Sequence, residues 1–281
     1  MVNEKEIRIR DLIRISTISF AIILGVDITS ILVLGGITSW DGFNVDLCML
    51  AVEVMTVYLL ISNMKISKED VMKLWVDFTK KVNIKEIIGR LLNLQIIQMG
   101  VMWLVIGIFL LIDISLANKI LNSSSSQEML YTGNILINSI SIVIIAPIIE
   151  ELIYRKVIFK RLSKKLNTTF GTILSSIFFG LCHAKDSIFF ATLFGVVLCI
   201  LYLKYKNILV PMFLHFLNNF MTTIILLTSV GEENNEVTNF IPEDAVVFLS
   251  IGAIATVIGV FFYIRFIKRN RSYLKNLKII A

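Results

Sequence analysis

The stretch Ile135-Leu-Ile-Asn-Ser-Ile-Ser-Ile-Val-Ile-Ile-Ala-Pro147-Ile-Ile-Glu150-Glu151-Leu-Ile-Tyr154-Arg155 runs fifteen residues without a charge and then sets two adjacent carboxylates and a guanidinium within six. Such a run does not suit a water-facing surface, and it is one of many. Polar linkers separate apolar stretches at 12–19, 28–36, 44–62, 92–112, 135–149, 168–184, 187–203, 207–228 and 245–264. Most approach the roughly 20 residues a bilayer-spanning helix needs. The first two merge into one span interrupted by Asp27, which leaves eight. Backbone groups in hydrocarbon must be satisfied within their own segment, so the spans are helices. The expectation is an all-α polytopic membrane protein of about eight transmembrane helices, forming a single membrane domain over 1–281. Composition agrees, since 56% hydrophobic and 17% charged residues with a mean hydropathy of +0.82 are too apolar for one soluble core.

Lys5, Arg8, Arg10 and Arg14 precede a first apolar stretch that is long and has no small-residue cleavage site, as expected of an uncleaved first helix. With the N-terminus placed in the cytoplasm, 25 of the 27 basic residues fall in inner segments: four in the N-tail, seven in 63–90, six in 155–165, two in 204–206 and six from Arg265 onward. Lys119 and Lys185 are the exceptions, and the outer loops hold Asp41, Asp46, Glu232, Glu233, Glu236, Glu243 and Asp244 instead. Both termini are therefore expected in the cytoplasm. A net charge of +6 distributed as juxtamembrane anchors points to anionic lipid headgroups and away from nucleic acid. Within 63–90, Val71, Trp75, Phe78 and Val82 recur at helical spacing among lysines, which predicts a cytoplasmic interfacial helix and loop. Cys48, Cys182 and Cys199 fall in predicted spans and read as inert apolar thiols rather than a disulfide framework.

An ionised side chain at the bilayer centre costs roughly 2.5–3.5 kcal/mol, so each intramembrane polar residue requires a reason. The candidates are Asp27, Glu53, Glu150, Glu151, His183, His215 and Asn219, and these are the chain's only histidines. Adjacent helix positions diverge by about 100°, which separates the jobs of Glu150 and Glu151. Glu151 and Arg155 stand at i and i+4 in the order that favours an ion pair. Glu150 is then free to face another side, where a carboxylate among apolar neighbours is suited to accept and return protons. In the rival reading both acids simply pair with basic residues at the inner interface.

Phe179-Gly-Leu-Cys-His183 closes the fifth span and His215-Phe-Leu-Asn-Asn219 lies in the seventh, each an i, i+4 pair on one helix face. A carboxylate, two imidazoles and an amide supply what peptide hydrolysis requires: a base for water, stabilisation of the oxyanion and a proton for the leaving amine. Alternatively His183 and His215 bind zinc and Glu150 activates the metal-bound water, with Glu150 or Asn219 as third ligand. The sequence leaves both open. Pro147 and Pro211, three and four residues before Glu150 and His215, are expected to bend their helices near the site.

Glu150-Glu151-x-x-x-Arg155, Phe179-x-x-x-His183 and His215-x-x-x-Asn219, in this order on successive spans, resemble the motifs of the CPBP family, the CaaX-protease and bacteriocin-processing or Abi family. The resemblance implies a protease core over about 133–228, with Glu150 activating water, His183 and His215 as metal ligands or transition-state stabilisers, and Asn219 on the oxyanion. Glu151, Arg155 and Phe179 would support them. It further implies a membrane-associated peptide or protein as substrate, in CaaX-type trimming, peptide maturation or bacteriocin immunity. Abundant Ile, Asn and Lys look bacterial, which points to a plasma membrane and away from a prenylated substrate. The sequence sets neither a cleavage site nor an oligomeric state.

Residue counting puts Glu150 and His215 in the inner half of the membrane but His183 near the outer end of a short fifth span. Either the fourth and fifth helices extend past Lys160 and Lys165, or the Ala184-Lys-Asp-Ser187 turn dips into the protein. The second is expected, with Lys185 and Asp186 sheltered. Asp27 and Glu53 have no assigned role. Two rivals remain: a transporter with a Glu/His relay would show paired repeats, which are absent, and a non-catalytic immunity protein would not need Glu150.

Overall fold

The structure is a computed structural model that describes residues 10–18, 42–122, 134–230 and 240–275. Asp27, Asp41 and the acidic residues at 232, 233 and 236 lie outside them. The described chain is helical, with no strand among the described residues. After helical residues 10–18 come α1 (Gly42–Met64), α2 (Lys68–Lys81), α3 (Ile84–Ile112), α4 (Ile114–Asn122), α5 (Ile135–Lys165), α6 (Thr168–Leu181), α7 (Ile188–Tyr205) and α8 (Leu209–Val230). A short 3₁₀ turn at Pro242–Asp244 then leads into α9 (Ala245–Arg269) and α10 (Arg271–Lys275). Among the described residues, helices in six places are long and apolar enough to cross a membrane, which makes this an all-α polytopic membrane protein. These six match six of the eight expected spans. The fifth is the 14-residue α6, and the first, over 12–36, lies mostly outside the described residues.

The basic segments gather at one end of the bundle. There Glu86 at the start of α3 accepts from Lys204 Nζ at 2.6 Å and from the Tyr205 hydroxyl at 2.5 Å, while Asn83 N–H donates to the same hydroxyl at 3.3 Å. Asn207 Nδ2 donates to the Leu74 carbonyl at 2.7 Å, and Thr169 Oγ1 to that of Leu274 at 3.1 Å. The expected interfacial region 63–90 divides at this end. Ser67 and Asp70 close a capping box that starts α2, and from Ile84 the chain already belongs to the 29-residue α3, started by Asn83.

The feature that positions the site is the α5–α6 hairpin. Helix α5 does not stop at the predicted span but runs 31 residues to Lys165. Asn167 caps α6 by accepting from Phe170 N–H at 2.9 Å. Glu150 stands sixteen residues before the Leu166 turn and His183 sixteen after Asn167, about 24 Å along each arm, so the two arrive at the same depth. The expectation of a dipping turn is thus corrected. Lys185 and Asp186 are exposed, and the length of α5 past Lys160 provides the reach. Two glycines let α6 close on its neighbours, Gly171 on α5 and Gly180 on α7. A Cβ on Gly171 would lie 2.1 Å from Ser163 Oγ and 2.8 Å from its backbone nitrogen, and one on Gly180 would lie 2.7 Å from the Ile188 carbonyl oxygen, as in membrane interfaces built on small residues.

Gly171→Val should force α5 and α6 apart and destabilise the protein by about 1–3 kcal/mol. Gly89→Ala, where a Cβ meets nothing within 4 Å, should leave the thermal midpoint in detergent unchanged or raise it slightly. Equal midpoints for Gly171→Val and wild type would remove the hairpin contact from the account.

Candidate active site

Helix α5 changes pitch around the acids. Ser141–Ile145 and Leu152–Phe159 are π-helical and bracket an α-helical Ala146–Glu151. Single π turns mark places where a helix gives up regularity for function. The first has a cause in the sequence. Ala146 N–H donates to Ser141 O, and Pro147 has no N–H, so the Ile142 carbonyl loses its usual helical donor. Asn219 Nδ2 on α8 replaces it at 2.8 Å. In the second, Ser175 Oγ on α6 donates to the Tyr154 carbonyl at 3.2 Å. Glu53 of α1, without a role in the sequence, accepts from Ser141 Oγ at 2.5 Å. Pro147 therefore widens the helix turn, while Pro211 falls in the first turn of α8, where a missing N–H costs nothing and no bend at His215 is required.

Glu151 and Arg155 are both fully buried and bidentately paired, with Arg155 Nε at 2.8 Å from Glu151 Oε2 and Nη2 at 3.3 Å from Oε1. The guanidinium lies 5.1 Å from the Phe179 ring centroid, and its Nη1 donates to Cys199 Sγ at 3.5 Å. Cys199, read from sequence as inert, is thus a polar contact. Glu151 Oε1 also lies 3.2 Å from His215 Nδ1. His183, just past the end of α6, places its Nδ1 at 2.7 Å from the Phe179 carbonyl. A carbonyl or a carboxylate can only accept, so each Nδ1 carries the proton and each Nε2 of a neutral ring bears a lone pair.

Both Nε2 atoms face Glu150. Glu150 Oε2 is 3.9 Å from His183 Nε2 and 3.9 Å from His215 Nε2. That oxygen is buried and has no hydrogen-bond partner. The two adjacent acids, expected to serve different sides, thus flank a single imidazole, Glu150 toward Nε2 and Glu151 at Nδ1. Phe179 is fully buried between the histidines, its ring 4.5 Å from that of His183 and 5.7 Å from that of His215, and Phe194 closes on His215 at 5.3 Å. A cavity of about 380 Å³ opens on the site and is lined by His183, His215, Asn219, Asn218, Gln98 and Phe194 among others. Cys182 beside His183 is exposed.

Zinc bound at about 2.0–2.2 Å to imidazole and carboxylate would hold tetrahedral donors near 3.3 Å apart. Here Glu150 Oε2 stands at 3.9 Å from each nitrogen, and among the described residues no three His, Cys, Asp or Glu side chains form a metal-holding group. The residues present do not fit a zinc site in this arrangement.

Residues 132–221, which contain every residue above from Glu150 to Asn219, match the family model described as type II CAAX prenyl endopeptidase Rce1-like. A Bacillus subtilis (strain 168) protein named "Putative membrane peptidase YdiL" is 39% identical over 88 residues, which cover 31% of this chain and 36% of the relative. The match thus spans about a third of either protein. No solved structure matches the chain. Both comparisons support the CPBP, or CaaX-protease, family for the segment that holds the site.

Arg155→Met would leave Glu151 as a buried, unpaired charge and should cost about 3–5 kcal/mol. Glu151→Leu combined with Arg155→Met removes both charges and should unfold at a higher temperature than Arg155→Met alone. A double variant less stable than the single one would show that the pair does not act as a unit.

Proposed function

We propose that this chain is an intramembrane endopeptidase that hydrolyses a peptide bond of a membrane-associated protein or peptide with water activated by Glu150. One observation carries the reading: a buried carboxylate oxygen without a partner, aimed between two imidazole nitrogens at 3.9 Å from each. At that separation the nitrogens do not bond Oε2 directly, which leaves this oxygen to accept a hydrogen from an incoming water. Such a water donates one hydrogen to Glu150 Oε2 and turns its lone pair toward the cavity.

Attack of the water oxygen on the substrate carbonyl forms the C–O bond as Glu150 takes the proton. The oxyanion that develops meets a donor on α8. Asn219 spends one amide hydrogen on the Ile142 carbonyl and has a second to give, since a carboxamide carries two. His215, with Glu151 at its Nδ1, is held with its Nε2 lone pair toward this space, where it accepts a hydrogen bond from the second hydrogen of the attacking water. As the C–N bond breaks, the leaving amine receives the proton held by Glu150. His183, fixed by the Phe179 carbonyl, borders the same space and shields it from bulk water.

The matched family and the Bacillus relative are both described as peptidases, which supports hydrolysis over transport. The Bacillus relative and the Ile-, Asn- and Lys-rich composition support a bacterial plasma membrane, and a bacterial setting favours a peptide without a prenyl group.

Glu150→Gln keeps the shape of the side chain and removes the base. Cleavage of a quenched peptide library by the purified protein should fall at least about 10²-fold, with an unchanged thermal midpoint. Undiminished cleavage would overturn the assignment of the base. Stoichiometric zinc in the active sample would overturn the metal-free reading, and protection against membrane-active peptides that survives Glu150→Gln would favour a binding protein.

A further inference from the structure

Gln95 and Gln98 lie one turn apart in the middle of α3, where the other nearby polar side chain, Asn93, is buried and donates to the Gly259 carbonyl at 2.8 Å. Gln95 is satisfied, its Nε2 donating to Asn218 Oδ1 at 3.0 Å. Asn218 Nδ2 donates in turn to Asn219 Oδ1 at 3.3 Å, and Asn219 Nδ2 to the Ile142 carbonyl at 2.8 Å. A chain of side-chain amides thus crosses from α3 over α8 to α5 and ends on the Ile142 carbonyl. Gln98 does not join it. Its side chain is exposed, lines the same cavity as His183, His215 and Asn219, and has no hydrogen-bonding partner among the described residues.

An amide left unpaired at mid-membrane depth is unfavourable, and residues of that kind face a wet cavity or a ligand. A carboxamide offers two donors and an acceptor, which is the complement of a peptide group's C=O and N–H. Phe190, Leu193 and Phe194 make the cavity wall beside it apolar. We propose that Gln98 binds a main-chain amide of the substrate and so sets which peptide bond lies over Glu150, a reading that rests on the protease assignment. The apolar wall receives substrate side chains while Gln98 holds the backbone. The amides of an intact helix are already bonded within it, so Gln98 selects a segment that is locally extended at the scissile bond, and helix-breaking residues beside that bond favour cleavage.

The test uses the full-length protein and the library peptide cut fastest by wild type, together with a series in which each backbone N–H of that peptide is replaced in turn by an ester oxygen. In wild type and Gln98→Leu, KM and kcat are measured by cleavage; the peptide's Kd is measured by fluorescence anisotropy in the Glu150→Gln background with and without Gln98→Leu. Gln98→Leu should raise KM and Kd by roughly three- to tenfold, the effect of one lost hydrogen bond, with kcat within about twofold. One ester position should cost wild type a similar factor and cost Gln98→Leu nothing. Normal cleavage with unchanged KM and Kd in Gln98→Leu, or equal ester penalties in both proteins, overturns the inference and leaves the protease reading standing. Cleavage of no peptide by wild type removes both.

Discussion

The pairing of Glu151 with Arg155 is the constraint on which the site's geometry depends. Two fully buried charges in a chain whose surroundings are lipid would be unfavourable if either stood alone. They are kept by a bidentate bond, by the Phe179 face under the guanidinium and by the Cys199 sulfur at its far side. Because Arg155 occupies one edge of the Glu151 carboxylate, Oε1 is held where it also meets His215 Nδ1. The ring is thereby fixed in rotation and tautomer, and its Nε2 has one direction left to face. A pair that contributes little net stability in such a setting is better understood as a device for orientation.

Backbone irregularity does the remaining positioning. A regular α-helix would turn Glu150 and Glu151 about 100° apart with no further adjustment. Both acids keep that angle within the α-helical Ala146–Glu151, and the two π-helical stretches on either side set how that turn is rotated against the rest of the helix; each is tied to a different neighbour: the first to α8 through Asn219 and to α1 through Glu53, the second to α6 through Ser175. The helices that carry the histidines are thus the ones that hold the irregular turns open. Loss of packing in α6 or α8 would be felt at Glu150 through its backbone as well as through the imidazoles.

The class of fold, the apolar spans and the residues around Glu150 were legible in the sequence because lipid makes polar side chains rare, so Glu150, Glu151, His183 and His215 stood out. The i, i+4 spacing of Glu151 and Arg155 was equally readable. The reach of α5 was not. Lys156, Lys160 and Arg161 resemble a membrane boundary, yet nothing in their chemistry stops a helix, and the chain continues to Lys165. Pro147 signalled an irregularity without saying that it would widen the turn, since that outcome depends on Asn219 arriving from another helix. Gln95 and Gln98 passed unremarked among the long apolar runs because an amide carries no charge to draw notice.

Among the described residues, four side-chain polar atoms are buried without a hydrogen bond: Arg90 Nε, Ser163 Oγ, Thr256 Oγ1 and Glu150 Oε2. Three have local explanations. Ser163 and Thr256 are pressed against Gly171 and Gly100, where two helix backbones meet too closely for a partner to enter, and Arg90 bonds through its Nη1 to the Phe262 carbonyl and covers the Phe266 ring. Glu150 has no such account, since neither crowding nor a second bond compensates Oε2. Next to it Glu151 is bonded through both oxygens to Arg155 and His215. Where water is scarce, a polar group that is fully bonded holds the structure, and one left open implies something that comes to meet it. Adjacent carboxylates of equal chemistry are thereby divided into a bonded scaffold and an open acceptor by their hydrogen bonds alone.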